Sequence, residues 1–165
     1  MATPTTLPAS FSAGAVLTAA QMNNLRGAFR VLQVVGATYS TQTSSSSSTF
    51  ADTGLTASIT PSATSSKILV FVQQAGCGKT SSDTECQLKL VRGVTDISTF
   101  ATQVGLTSST ASNIVGTQGV AYLDSPSTTS ATTYKTQFRS VSNTAQALVQ
   151  ANGCMSTIIL AEISA

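Results

Sequence analysis

Residues 66–93 read SKILVFVQQAGCGKTSSDTECQLKLVRG, and the fold turns on how this stretch is read. Gly78-Lys79-Thr80 matches the tail of a phosphate-binding P-loop. That loop also needs a glycine five residues before its Gly-Lys pair, where backbone amides close round phosphate oxygens, and Gln73 stands there instead. A P-loop must also lead directly into a helix whose N-terminus faces the anion. After Thr80 the chain instead makes a polar turn and then alternates strictly, with Cys86, Leu88 and Leu90 on one face and Gln87 and Lys89 on the other. The stretch therefore reads as a β-hairpin. Gly76 and Gly78 are its turn residues, suited to positive φ, and Lys79, Asp83 and Glu85 stand in a solvated hairpin mouth. The opening SKILVFVQQ is an apolar run of the kind that is buried on both faces, which puts it at the centre of a sandwich.

Composition supports extended structure throughout. Of 165 residues, 8% are charged and 5% aromatic, with no Trp and no His, while 41% are hydrophobic. Roughly a third are Ser or Thr, far above the usual share. Ser and Thr cover the outer face of a sheet without charge repulsion, and Thr is β-branched. The length suits one domain, or one domain and a short appendage. A net charge of +2 from scattered Lys and Arg gives no basic stripe for nucleic acid. No apolar run approaches the roughly 20 residues that cross a bilayer, so neither nucleic-acid binding nor membrane insertion is expected. The first residues carry no positive leader before an apolar stretch, so no secretory signal peptide is expected.

Outward from residues 66–93, strands succeed one another at short intervals. On the N-terminal side come RVLQVVGATYS and TFADTGLTASITP, the latter with Leu55, Ala57 and Ile59 on one face; a flexible loop is expected at Ser44–Ser48. On the C-terminal side come TDISTFAT, a loop over residues 103–117 with room for one short strand, QGVAYLDSP, ATTYKTQFRSV, AQALVQA and MSTIILAEIS. Tyr134, Thr136 and Phe138 alternate with Lys135, Gln137 and Arg139, and Ile159, Ala161 and Ile163 share a face. Eight or nine short strands predict an all-β fold, an antiparallel jelly-roll-like β-sandwich over residues 34–165.

Residues 1–33 differ. Pro4 and Pro8 keep the first dozen residues an extended arm. Thr18 with Gln21 then forms a capping box, Leu17 and Met22 a hydrophobic staple, and Met22, Leu25, Phe29 and Leu32 recur at helical spacing. One short α-helix is predicted, marginal unless its apolar stripe docks. The stripe packs either on the chain's own β domain or into another protein.

The residues offer little for catalysis. Without His no Ser-His-Asp or Cys-His arrangement exists. Asp83 and Glu85 sit in the hairpin mouth, and Glu162 reads as an outward residue near the end of the last strand, on the face it shares with Ile158 and Leu160. No catalytic residue, cofactor or metal site is expected. Cys77 and Cys86 flank the expected turn and are able to face each other, Cys154 stands apart, and reduced structural thiols are the favoured reading. The aromatic residues fall mostly at inward strand positions, so core packing is expected for them.

LPASFSAGAVLTAAQMNNLRGAFRVLQVV at 7–35, together with TFADTGLTASITPSATSSKILVFVQQ at 49–74, resembles small structural proteins of tailed bacteriophages, the tail-fibre and minor virion proteins. The most specific parts are AGAVLTAAQMN and DTGLTASITPSATSSKILV; elsewhere the likeness is one of strand rhythm and Ser/Thr content. The long shaft of a full fibre has no counterpart here. The resemblance implies an N-terminal attachment segment and a C-terminal jelly-roll knob, commonly a homotrimer, in a virion assembled in the host cytoplasm. On that basis residues 1–33 are the virion anchor, through Leu17, Met22, Leu25 and Phe29. The anchor's partner is a tail adaptor, another tail component or the major capsid protein. Host-surface glycan contact is assigned to knob loops carrying Lys79, Asp83, Glu85, Ser109 and Asn113. The alternative is a capsid decoration or head-fibre protein that stabilises or decorates the shell.

Overall fold

The computed structural model describes residues 14, 16, 18, 19, 31–80, 83–108, 110–142 and 145–164. Ten strands run in order: β1 Val31–Tyr39, β2 Thr43–Ser45, β3 Ala51–Ile59, β4 Lys67–Lys79, β5 Cys86–Arg92, β6 Thr95–Val104, β7 Asn113–Asp124, β8 Thr132–Ser140, β9 Ala147–Val149 and β10 Ser156–Ile163. A 3-10 turn at Ala151–Gly153 precedes β10. The arm and most of the expected helix, with Leu17, Met22, Leu25 and Phe29, lie outside the described residues, as does Ser109, while Leu32, the last position of the helical stripe, stands in β1 instead.

The strands form two antiparallel sheets packed as a sandwich. Sheet A runs β1-β10-β4; β7 pairs with one edge of β4 along its length, while on the other edge, past the end of β10, the short β9 pairs with Gly78 and Lys79 and carries β2 on its outer side. Sheet B runs β3-β8-β5-β6. Where a strand alternates apolar and polar residues, the apolar set faces the partner sheet. Leu55 and Ile59 of β3, Leu88 and Leu90 of β5, and Tyr134, Thr136 and Phe138 of β8 are all buried, as their alternation predicts. Leu55, Ile59, Leu90 and Tyr134 meet Ile68, Val70, Val72, Ile158 and Leu160 of sheet A. Beside this main cluster, Cys77, Cys86, Phe138, Ala147 and Val149 form a second one.

Four expectations need correction. β4 does not turn at Gly76 but continues to Lys79, still paired with β7 through two register shifts. Gly76 is a bulge residue at φ +59, and a Cβ there would meet the Ala151 nitrogen at 2.4 Å. Gly78 is needed for close approach, since its Cβ would lie 2.1 Å from the Asn113 carbonyl oxygen. Second, SKILVFVQQ is central but not buried on both faces: Ile68, Val70 and Val72 point into the core, while Phe71 on the other face is 45% exposed. Third, the Ser44–Ser48 loop begins as strand, because Thr43–Ser45 pairs with β9.

The fourth correction concerns β10. Ile158, Leu160 and Glu162 do share a face, but it is the inward one, and Glu162 is fully buried. Its carboxylate accepts hydrogen bonds from the Ser62 N–H at 2.7 Å, the Ser62 hydroxyl at 2.6 Å and the Gln33 side-chain amide at 2.6 Å. A buried carboxylate is tolerated because these donors replace its hydration.

Candidate functional site

The positions of the loops are set by where strands end. Val31 pairs with Ile163, and Lys67 and Asp124 lie at the same end of sheet A. At the opposite end, beyond Lys79, Cys86, Val104 and Asn113, the chain reverses through residues 80–85 and 105–112. The chain therefore enters the sandwich at one end and presents these loops at the other.

Lys79, Asp83 and Asn113 converge on the 105–107 turn. The Lys79 ammonium donates to the Thr107 carbonyl at 2.6 Å, the Asp83 N–H donates to the same carbonyl at 3.2 Å, and the Asn113 side-chain amide donates to Gly105 O at 3.2 Å. Asp83 is exposed with φ +53. Lys79 has no exposed surface and Glu85 is buried, accepting from the Gln87 amide at 2.8 Å. The solvated hairpin mouth read from sequence is thus corrected for these two side chains. Lys79 braces the 105–107 turn and Glu85 is held against Gln87 of β5, and of the described knob-loop residues it is Asp83 that meets solvent, with Asn113 half-buried beside Thr107 and Ser112.

Two polar groups inside the sandwich were not foreseen. Asp124, on β7, accepts from the Tyr134 hydroxyl on β8 and from Arg92 on β5, each at 2.6 Å, and so ties sheet A to sheet B. Burial, and then the adjacent Asp124 carboxylate, push the Tyr134 hydroxyl well above its usual range. Deeper in, the Gln74 side-chain Oε1 accepts from the Thr136 hydroxyl at 2.8 Å, and that hydroxyl lies 2.6 Å from the hydroxyl of Thr53. The Gln74 amide donates to Ser156 at 3.1 Å. At Glu162 burial acts to raise the carboxyl pKa, but the hydrogen bonds from Ser62, Gln33 and Ser66 outweigh it and hold the group down at about 2. Among the described residues no three His, Cys, Asp or Glu side chains group as metal ligands, and no helix is long and apolar enough to cross a membrane.

The two outer faces contrast sharply. Sheet B is polar, with Thr56, Ser58, Thr133, Gln137 and the ion pairs Lys135–Asp52 at 2.9 Å and Lys89–Asp96 at 2.8 Å. On it the cationic groups of Lys89 and Arg139 lie 4.3 and 4.8 Å from the Phe50 ring centroid.

Sheet A is uncharged across its breadth, and two of its three rows are apolar. Register aligns Val34, Ala161, Leu69 and Leu123 in one row across four strands, and Gly36, Ile159, Phe71 and Ala121 in the next. A third row holds Thr38, Thr157, Gln73 and Gly119. Val34 is 61%, Leu123 56%, Phe71 45% and Ile159 39% exposed. A depression of about 400 Å³ opens over Gly119 between Phe71, Gln73, Ala121, Thr157 and Ile159. The aromatic Phe71, expected in the core, is part of this surface. Its exposure was illegible because β4 is apolar on both faces.

No protein-family model matches the chain, and no curated protein matches its sequence.

Proposed function

We propose that this chain is a non-enzymatic structural protein of a tailed-bacteriophage virion. In this reading the segment before β1, the greater part of the 1–33 anchor expected from sequence, anchors it to a tail component or the coat, and the sandwich, which includes residues 31–33, is a knob present in several copies, most simply a homotrimer. The observation that carries the reading is polarity along the strands: the residue-31 end and the 80–85 and 105–112 loops lie at opposite ends of the sandwich. A module held at its N-terminal segment then turns those loops outward, where Asp83 and the half-buried Asn113 are placed to meet host-surface glycan. The strand order β1-β10-β4-β7 facing β3-β8-β5-β6 supports a jelly roll. The acids favour a structural role over glycoside hydrolysis: Asp124 and Glu162 are engaged in hydrogen bonds inside the sandwich, and the exposed Asp52 and Asp96 are paired with lysines.

The apolar outer face of sheet A favours a second form of the same reading, in which the chain decorates the shell and clamps neighbouring subunits. Particles of the encoding virus, purified and analysed by mass spectrometry, should contain the chain. Antibody labelling at the tail supports the fibre form, and labelling over the head supports the decoration form. The triple substitution M22D/L25D/F29D should remove the chain from particles. Purified particles that lack the wild-type chain overturn the proposal.

A further inference from the structure

We infer that the outer face of sheet A is where copies of this chain bind one another, centred on Phe71 and Ile159 and the depression over Gly119. The inference deepens the reading of the chain as a multi-copy knob and rests on it for the number of copies. The occupant is argued from size and charge. Same-face neighbours lie roughly 7 Å apart along a strand and strands about 4.8 Å apart, so the two apolar rows across four strands cover on the order of 270 Å², and the uncharged Thr and Gln row brings the face to about 400 Å². The apolar part approaches the size of the largest apolar patches of monomers, which are often functional. The whole face is about half of one partner's share in a standard interface before any rim is added.

The face carries no charged side chain among its three rows; Lys67 stands at the margin and donates to the Ser125 hydroxyl at 2.7 Å. A copy of the same face can therefore meet it with no like-charge repulsion and no buried charge to desolvate. The fixed charges are held on sheet B, which would remain in water. A nucleic acid or another anionic partner finds no cation here. A single helix bearing Met22, Leu25 and Phe29 is about 10 Å across, and would cover roughly half of the sheet's width. The face continues to β1, whose nine residues VLQVVGATY include no charge and no proline to discourage strand pairing at that edge.

Light scattering on the full chain after size exclusion tests the inference. The wild type should have a mass that is a multiple of the 16.8 kDa single chain, about threefold for a trimer. Phe71→Asp should reduce it to a single chain with the circular dichroism of the wild type. Ala121→Arg, at an already exposed position, should do the same and serves if Phe71→Asp does not fold. Thr133→Arg, on the outer face of sheet B, should leave the assembly intact. A monomeric wild type overturns the inference, and so does an oligomer that survives both substitutions on sheet A. Particle incorporation is a separate readout: a chain found in virions but monomeric in solution defeats this inference and the homotrimer, while the virion assignment stands.

Discussion

The Tyr134 hydroxyl lies 2.6 Å from the Asp124 carboxylate, joining the inner face of sheet B to the last residue of β7 in sheet A. The side chains come from different layers, so this bond fixes how the sheets sit on each other rather than how either one pairs. Arg92 reaches the same carboxylate oxygen from a third strand.

Tyr134→Phe keeps the ring and removes that link. Unfolding in urea should show a loss of about 1.5–3 kcal/mol, the usual range for a hydrogen bond to a charged group. The hydroxyl titrates higher when folded than its ordinary value of 10.0. Its contribution is therefore complete below about pH 10 and is lost as pH rises from there toward the folded pKa. The Phe variant should be less stable at neutral pH but lack this alkaline decline.

Glu162 governs the opposite limb. Its ordinary value of 4.5 falls to about 2 in the fold, so its stabilisation is present above about pH 4.5 and disappears as pH drops toward 2. Glu162→Gln should lower stability at pH 7 and flatten the acid decline. Thermal midpoints measured from pH 7 to pH 2 check this; parallel curves for the two proteins would refute the assignment.

Gly78→Ala places a methyl group 2.1 Å from the Asn113 carbonyl oxygen, with backbone on both sides of the clash. A loss of about 1–3 kcal/mol is expected, as for overpacking in a dense interior. Gly36→Ala meets only the Ile158 carbonyl oxygen at 3.9 Å and should be close to neutral. Denaturant midpoints of the two variants distinguish a spatial requirement at Gly78 from a general preference for glycine in these strands.

Alternation was readable wherever one face of a strand was polar. In β5 and β8 the residues Lys89, Lys135 and Arg139 mark the outside, and Leu88, Tyr134 and Phe138 accordingly lie inside. In β4 and β10 both faces are apolar, so period two identifies the faces without saying which is buried. The result was an exposed Phe71 and an inverted placement of Glu162. The partners that make Glu162 stable, Gln33 and Ser62, are 129 and 100 residues away, and no local pattern announces them. Lys79 went astray for a related reason: its acceptor, Thr107, sits on a turn 28 residues further on.

The pairing of Val31 with Ile163 also sets how the sandwich resists force. Tension between residue 31 and the loops at the far end runs along the strands, perpendicular to the β1–β10 ladder bonds, and loads them together in shear. Tension between residues 31 and 163 would peel the same bonds one after another. A pull transmitted through the segment before Val31, and opposed at the 80–85 and 105–112 loops, meets the stronger geometry.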